Sequence, residues 1–269
     1  MHAVLFKIGP FAIRGYGLML AIAFFVGIYM ALRRSKRVGI SSRNIVDLSV
    51  YIMISSILGA RLFYVVSHWE EFSNRPLDIF NPFQSSGEFG IAGLVFYGGL
   101  LAATSVAIWY MRRHRMPVWK VTDVFAPSIA LGIFFTRIGC FLNGCCFGTP
   151  ADLLWGMVFP ESSPAGYVFP HTPIHPAQLY SSLYGLAIFG LLLFLERFKR
   201  FDGFTFWVFV LLYAAARFSV DFVRYYEHSM TLFRVIDGPI SVNQGISVGL
   251  FLLGWMMLFM LRRRAKSEK

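Results

Sequence analysis

Long apolar blocks decide what this chain can become. Seven stretches, at roughly 16–32, 47–66, 91–110, 122–142, 177–196, 204–223 and 246–261, approach the ~20 apolar residues that a helix needs to cross a bilayer. The composition agrees, with 57% of the 269 residues apolar or aromatic and 14% charged, against ~45–50% and ~25% in a soluble domain. The pattern predicts an all-α, polytopic integral membrane protein with seven transmembrane helices. One transmembrane domain, 1–269, accounts for the chain, with two longer external loop regions, 67–90 and 143–176. Both are rich in Pro, Gly and Ser, and their length marks them as structured lids or small subdomains, because long loops without a function are uncommon. The fourth block is the most interrupted, by Pro127, Gly132, Arg137 and Gly139. A bilayer tolerates such breaks where a helix lines a polar cavity. The first seventeen residues lack the order of a signal peptide and read as an amphipathic lead-in on the membrane surface.

Charge sets the orientation. Lys and Arg number 25 against 14 acids, a net charge of +11. Seventeen of the basic residues follow the first, third, fifth and seventh blocks, while the opposite side holds only Lys7, Arg14, Arg75, Arg224 and Arg234. The positive-inside rule places the N-terminus outside and the C-terminus in the cytoplasm. The surplus therefore reads as topology and as contact with anionic membrane lipid. No nucleic-acid partner is expected, since no folded basic face is present to bind one.

Three arginines remain inside spans: Arg61, Arg137 and Arg217. Each costs at least ~2.5–3.5 kcal/mol at mid-helix, so such residues face a polar interior. With the orientation above, all three lie late in outward-running spans, in the outer half of the bilayer. Tyr16, Tyr97 and Gln178 reach the same level early in inward-running spans, with His175 just ahead and Asn143 six residues after Arg137. Arg217, Asp221 and Arg224, spaced i, i+4 and i+7, are expected on one helical face. One arginine alone would be read as snorkelling or pairing with a carbonyl. Three at one depth point to a site. Guanidinium forks match phosphate oxygens and keep their charge when partly buried, so the expected ligand is an anionic lipid headgroup.

The segment Thr136-Arg-Ile-Gly-Cys-Phe-Leu-Asn-Gly-Cys-Cys-Phe-Gly148 resembles the signature of the prolipoprotein diacylglyceryl transferase family. Five further runs fall in the family's order: Ile13-Arg-Gly-Tyr-Gly-Leu-Met19, Gly59-Ala-Arg-Leu62, Phe96-Tyr-Gly-Gly-Leu100, His175-Pro-Ala-Gln-Leu-Tyr180 and Arg217-Phe-Ser-Val-Asp-Phe-Val-Arg224. The resemblance implies an enzyme of the bacterial inner membrane with its site towards the outer leaflet. It implies transfer of a diacylglyceryl group from phosphatidylglycerol to the lipobox cysteine of a preprolipoprotein, with release of glycerol phosphate. No metal and no organic cofactor is implied. Carried onto this chain, it makes Arg137, Arg217 and Tyr97 the catalytic candidates. Tyr16, Arg61, Gly98, Gly99, Asn143, His175, Gln178, Asp221 and Arg224 become candidates for binding substrate.

The chain departs from the family pattern in its proton-handling positions. Tyr97 stands where members carry a histidine, proposed there as the base for the thiol. A free phenol titrates above a thiol and is a weak base at neutral pH, so a hydrogen-bonding role is open beside a basic one. Cys140 and Cys145 stand where the pattern has Asn and Glu. Cys140, Cys145 and Cys146 are all the cysteines there are. They read first as small residues filling helix contacts, with a disulfide open in an oxidising exterior and no standard zinc spacing. Two other functional readings follow: a lipid-binding relative with altered chemistry, and a thiol-redox membrane protein.

Overall fold

The computed structural model describes residues 4–8, 11–73, 95–226, 231–235 and 238–267. Most of it is helix: α1 (Gly15–Arg37), α2 (Ser42–Ser67), α3 (Trp69–Phe72), α4 (Phe96–Arg113), α5 (Val118–Asn143), α6 (Pro164–Val168), α7 (Ala177–Leu195), α8 (Phe204–Val220) and α9 (Val242–Ser267). Among the described residues, five helices are long and apolar enough to cross a membrane: α1, α2, α5, α7 with its 3-10 extension to Phe198, and α9. The chain is thus an α-helical membrane protein. The apolar helix α8 has 17 residues, and α4 closes on Arg112 and Arg113. Of the expected external region 67–90, residues 74–90 lie outside the described residues.

Two small antiparallel ribbons depart from the all-helical expectation. The N-terminal lead-in forms the pair β1 (Val4–Ile8) and β2 (Phe11–Arg14). Its run of Val, Leu, Phe and Ile favours extended backbone. The second ribbon pairs β3 (Thr231–Val235) with β4 (Gly238–Ser241).

The described chain gathers into two compact units. The second unit comprises 6–13 and 32–121, and its centre is the packing of α4 on α2. Glycines make that packing close: a Cβ on Gly98 would fall on the Phe63 side chain, and one on Gly99 would come within 2.8 Å of the Ser56 carbonyl oxygen.

The first unit holds most of α1 and everything from Thr122 onward. Its interior is built on α5, whose Ala126 and Ala130 pack with Ile188 and Leu192 of α7 and Phe209 of α8. Pro127 sits inside α5 without ending it. Gly185 lets α7 approach, since a Cβ there would lie 2.9 Å from the Phe134 backbone nitrogen, and Ser182 donates to the Phe134 carbonyl at 3.0 Å. At the other end of α5, buried Asp123 accepts from the N–H groups of Gly203 and Phe206, at 2.7 and 2.8 Å. It thereby caps α8 from a distant helix, satisfying donors that a helix start leaves open. Lys199 joins Asp123 at 2.9 Å and Asp202 at 3.0 Å. Burial alone would lower the Lys199 pKa, but the two carboxylates outweigh it and hold the ammonium above its ordinary range. The region 143–176 forms a small core of Phe147, Phe159, Ala165 and Ile174.

Candidate functional site

The site is built where α8 ends. Arg217, in the last turn, pairs with Asp221 at 2.8 Å, the i, i+4 geometry the spacing predicts. The helix stops at Val220, however, so Arg224 leaves the helical face on which it was expected. The chain turns over 221–223 and brings Tyr226 back across the arginine. Its hydroxyl accepts from Arg217 Nη2 at 2.5 Å and donates to Asp221 Oδ1 at 2.8 Å. Ser241 donates to the other oxygen of Asp221 at 3.3 Å. Ser241 also opens α9 in a capping box: its hydroxyl accepts from the Gln244 N–H at 3.1 Å, and its own N–H donates to the Gln244 side chain at 3.0 Å. The Arg217 charge is therefore spent locally. Burial pushes the Tyr226 phenol up to about 12, against the pull of Arg224 and Arg217, so it stays a neutral donor.

Two further arginines of the site, Arg224 and Arg137, pair with no carboxylate among the described residues. Arg224 stacks its guanidinium over the Tyr226 ring at 5.1 Å, and its backbone pairs with Gly148. Its Nε is buried and, among the described residues, has no hydrogen-bond partner. Arg137 has Tyr184, Cys140, Cys146, Tyr213 and Tyr16 as its electrostatic neighbours, and no carboxylate among the described residues pairs with it. Shared neighbours join the three arginines. Tyr184 interacts with Arg137 and Arg217, Cys146 with Arg137 and Arg224, and Tyr226 with Arg224 and Arg217. Among the described residues, the one carboxylate paired with any of the three is Asp221, held by Arg217.

Tyr16 approaches through a gap in α5: a Cβ on Gly139 would lie 3.2 Å from the Tyr16 Cα. Asn143, the last residue of α5, reaches the Cys145 thiol. Gln178 is fully buried and donates to the Cys145 carbonyl at 2.9 Å; its Oε1 has no partner among the described residues. His175 is woven into the backbone, accepting from Gly148 N–H at 3.1 Å and donating to the Thr149 carbonyl at 3.0 Å. Its Nδ1 lies 3.3 Å from the Tyr180 hydroxyl, which takes a 2.8 Å hydrogen bond from Trp155. The three cysteines are free thiols. Cys146 is held below the usual thiol range by hydrogen bonds from Cys140 and Cys145, with Arg224 and Arg137 adding to the effect.

Four expected site residues belong to the other unit. Arg61 lies against the rings of Tyr64 and Phe72, at 5.8 and 5.3 Å. Tyr97 is 48% exposed and sits beside Phe96. Gly98 and Gly99 are buried against α2, where they serve helix packing.

Comparison with known proteins decides the kinship. The family described as prolipoprotein diacylglyceryl transferase matches residues 3–260. Proteins named phosphatidylglycerol–prolipoprotein diacylglyceryl transferase are similar along nearly the whole chain. That of Bordetella avium is 34% identical over 99% of this chain and 96% of its own length. That of Campylobacter hominis is 32% identical over 99% and 93%, and that of Bacillus cytotoxicus 30% over 100% and 95%. The chain belongs to the prolipoprotein diacylglyceryl transferase family. As a member of a transferase family it is an enzyme of the bacterial membrane. Sequence reasoning missed two residues of this transferase's polar cluster, Tyr226 and Tyr184. Tyr226 carried no signal, because its partners Arg217 and Asp221 meet it only through the turn after α8. Tyr184 lies six residues after Gln178 on α7 and was open to discovery as the last polar side chain before the apolar run that follows.

Proposed function

We propose that this transferase moves the diacylglyceryl group of phosphatidylglycerol onto the lipobox cysteine thiol of a preprolipoprotein, the first step of bacterial lipoprotein maturation. A sulfur–carbon bond forms at the glyceryl carbon while the carbon–oxygen bond to phosphate breaks. Glycerol phosphate leaves with that electron pair, and the thiol proton passes to a base. The phosphodiester enters with one negative charge and leaves as a monoester with about −1.5 to −2. A surplus of cationic charge at the phosphate therefore favours the departing group over the bound substrate, as catalysis requires. That Arg137 and Arg224 pair with no carboxylate among the described residues, while Arg217 is held by Asp221, is the observation that carries this reading.

In this proposal Arg137 and Arg224 hold the phosphate. Arg217 is a positioning residue, locked by Asp221 and Tyr226. Tyr16 and Asn143 orient the headgroup, Gln178 offers its open carbonyl, and His175 shapes the wall. Motif position alone gives Tyr97, with Gly98 and Gly99, to the thiol, and Arg61 to a supporting role. The proposed setting is the inner membrane, with seven spans, the N-terminus outside and the site towards the outer leaflet.

Purified protein in phosphatidylglycerol-containing micelles with a lipobox peptide tests the reading. Thioether-linked diacylglyceryl peptide is followed by mass, and glycerol phosphate by release. Arg137→Ala is expected to lower turnover by about 10²–10³-fold, as loss of a charge-stabilising donor does. Arg137→Lys, which keeps the charge and loses the fork, should fall between. Undiminished product in Arg137→Ala would overturn the assignment.

A further inference from the structure

The transfer reaction leaves the three thiols unused, yet the chain goes to some length to gather them. Helix α5 ends in a Schellman closure: Cys145 N–H donates to the Cys140 carbonyl and Gly144 N–H to the Phe141 carbonyl, both at 3.1 Å, with Gly144 at φ +69°. Such a closure brings the third residue from the helix end onto the residue after the turn, ordinarily as an apolar contact. Here those residues are Cys140 and Cys145. Cys146 then adopts φ +61°, a left-handed conformation that a residue with a side chain takes only under constraint from its surroundings. That constraint is visible. Phe147, the next residue, stacks on Tyr225 at 5.5 Å and accepts from the Tyr225 N–H at 3.1 Å. Gln178 clamps the Cys145 carbonyl from α7 at 2.9 Å. The outcome is three Sγ atoms within 4.8 Å of one another, none of them in a disulfide.

We propose that Cys140, Cys145 and Cys146 form a trigonal thiolate site for a soft monovalent cation of the copper(I) type. The spacing suits it: an ion bonded to three sulfurs at ~2.3 Å in one plane sets them about 4 Å apart. Thiolate ligands select soft cations. Zinc takes four ligands in structural sites, and among the described residues no histidine or carboxylate completes this cluster. Arg137 and Arg224, both neighbours of Cys146, offset the two negative charges that three thiolates and one monovalent cation leave. Cys145 and Cys146 are half-buried, so the ion has a way in, while buried Cys140 closes the inner side.

The test is an anaerobic titration of the purified full-length chain with copper(I) against a chromogenic copper(I) chelator. One ion per chain is expected, with X-ray absorption showing three sulfur neighbours at about 2.3 Å. Cys145→Ser and Cys146→Ser, on the turn and therefore least disturbing to the fold, should each weaken binding by at least about tenfold. Retained affinity in Cys146→Ser, two sulfur neighbours in place of three, or a disulfide among the three in freshly purified protein would each overturn the site. Unchanged size-exclusion behaviour and phosphatidylglycerol binding identify the variants whose loss of copper counts.

Discussion

At the scale of single residues, the arginines divide into one that is spoken for and two that are not. Arg217 gives its charge to Asp221 and its second nitrogen to Tyr226, whereas Arg224 keeps a buried Nε without a partner among the described residues. Arg224→Ala should therefore lower kcat/KM for glycerol phosphate release by about 10²–10³-fold. Arg224→Lys should recover part of that loss, because the charge remains and only the planar fork is gone. A wild-type rate in Arg224→Ala would return the phosphate to Arg217. Tyr226 gives a second prediction, with a sign that can be worked out. Its ordinary value of 10 rises to about 12 in the folded chain, chiefly through burial. The folded state thus holds the proton more tightly, and the resulting stability is complete below pH 10 and lost as pH climbs from there through about 12. Thermal unfolding in detergent should show this alkaline decline in the wild type and a shallower one in Tyr226→Phe. Equal slopes would mean that the phenol is not buried as described.

At the scale of elements, what could be read from sequence and what could not separate by range. The apolar runs announced the helices because backbone in lipid must satisfy its own hydrogen bonds, so each run can only be helical or closed into a barrel. The i, i+4 pairing of Arg217 with Asp221 was legible for the same local reason. Arg224 was misplaced because helix termination here depends on Tyr226 folding back, a contact that no spacing rule encodes. Asp123 is the clearest case of information that is not local. Within α5 it is an isolated acid in an apolar run, and only the fold shows it capping α8 eighty residues onward and anchoring Lys199. Asp123→Ala removes the acceptor of two helix-start donors and strands part of the lysine charge. Leaving buried donors unmet costs about 1–3 kcal/mol. The variant should unfold several degrees earlier in micelles while the fraction that stays folded keeps its turnover. An unchanged unfolding temperature would show that water or Asp202 replaces the cap in full.

At the scale of the whole molecule, charge and length give different weights to α4 and α8, the two shorter apolar helices. At 1.5 Å per residue α8 measures about 25 Å and α4 about 27 Å, just under a hydrocarbon core of ~30 Å. A mismatch of that size is met by local thinning of the bilayer or by residues beyond the helix ends. The basic clusters weigh more. They follow the first, third, fifth and seventh apolar blocks, and they share one side only if α4 and α8 cross together with the five longer candidates α1, α2, α5, α7 and α9. Were α4 alone to stay on one face, the clusters at 112–120, 197–200 and 262–269 would all be carried to the side opposite the cluster at 33–43. The positive-inside bias acts on short loops close to span ends, which describes all four clusters. Reporter insertions therefore have a definite expected pattern. Alkaline phosphatase, active only outside the cytoplasm, should be silent after residues 39, 115 and 201 and active after residue 154. A fluorescent protein at the C-terminus should mature. Activity after residue 201 with silence after 115 would remove α5 or α7 from the crossing set, and the expected outward position of the arginine site would have to be rebuilt.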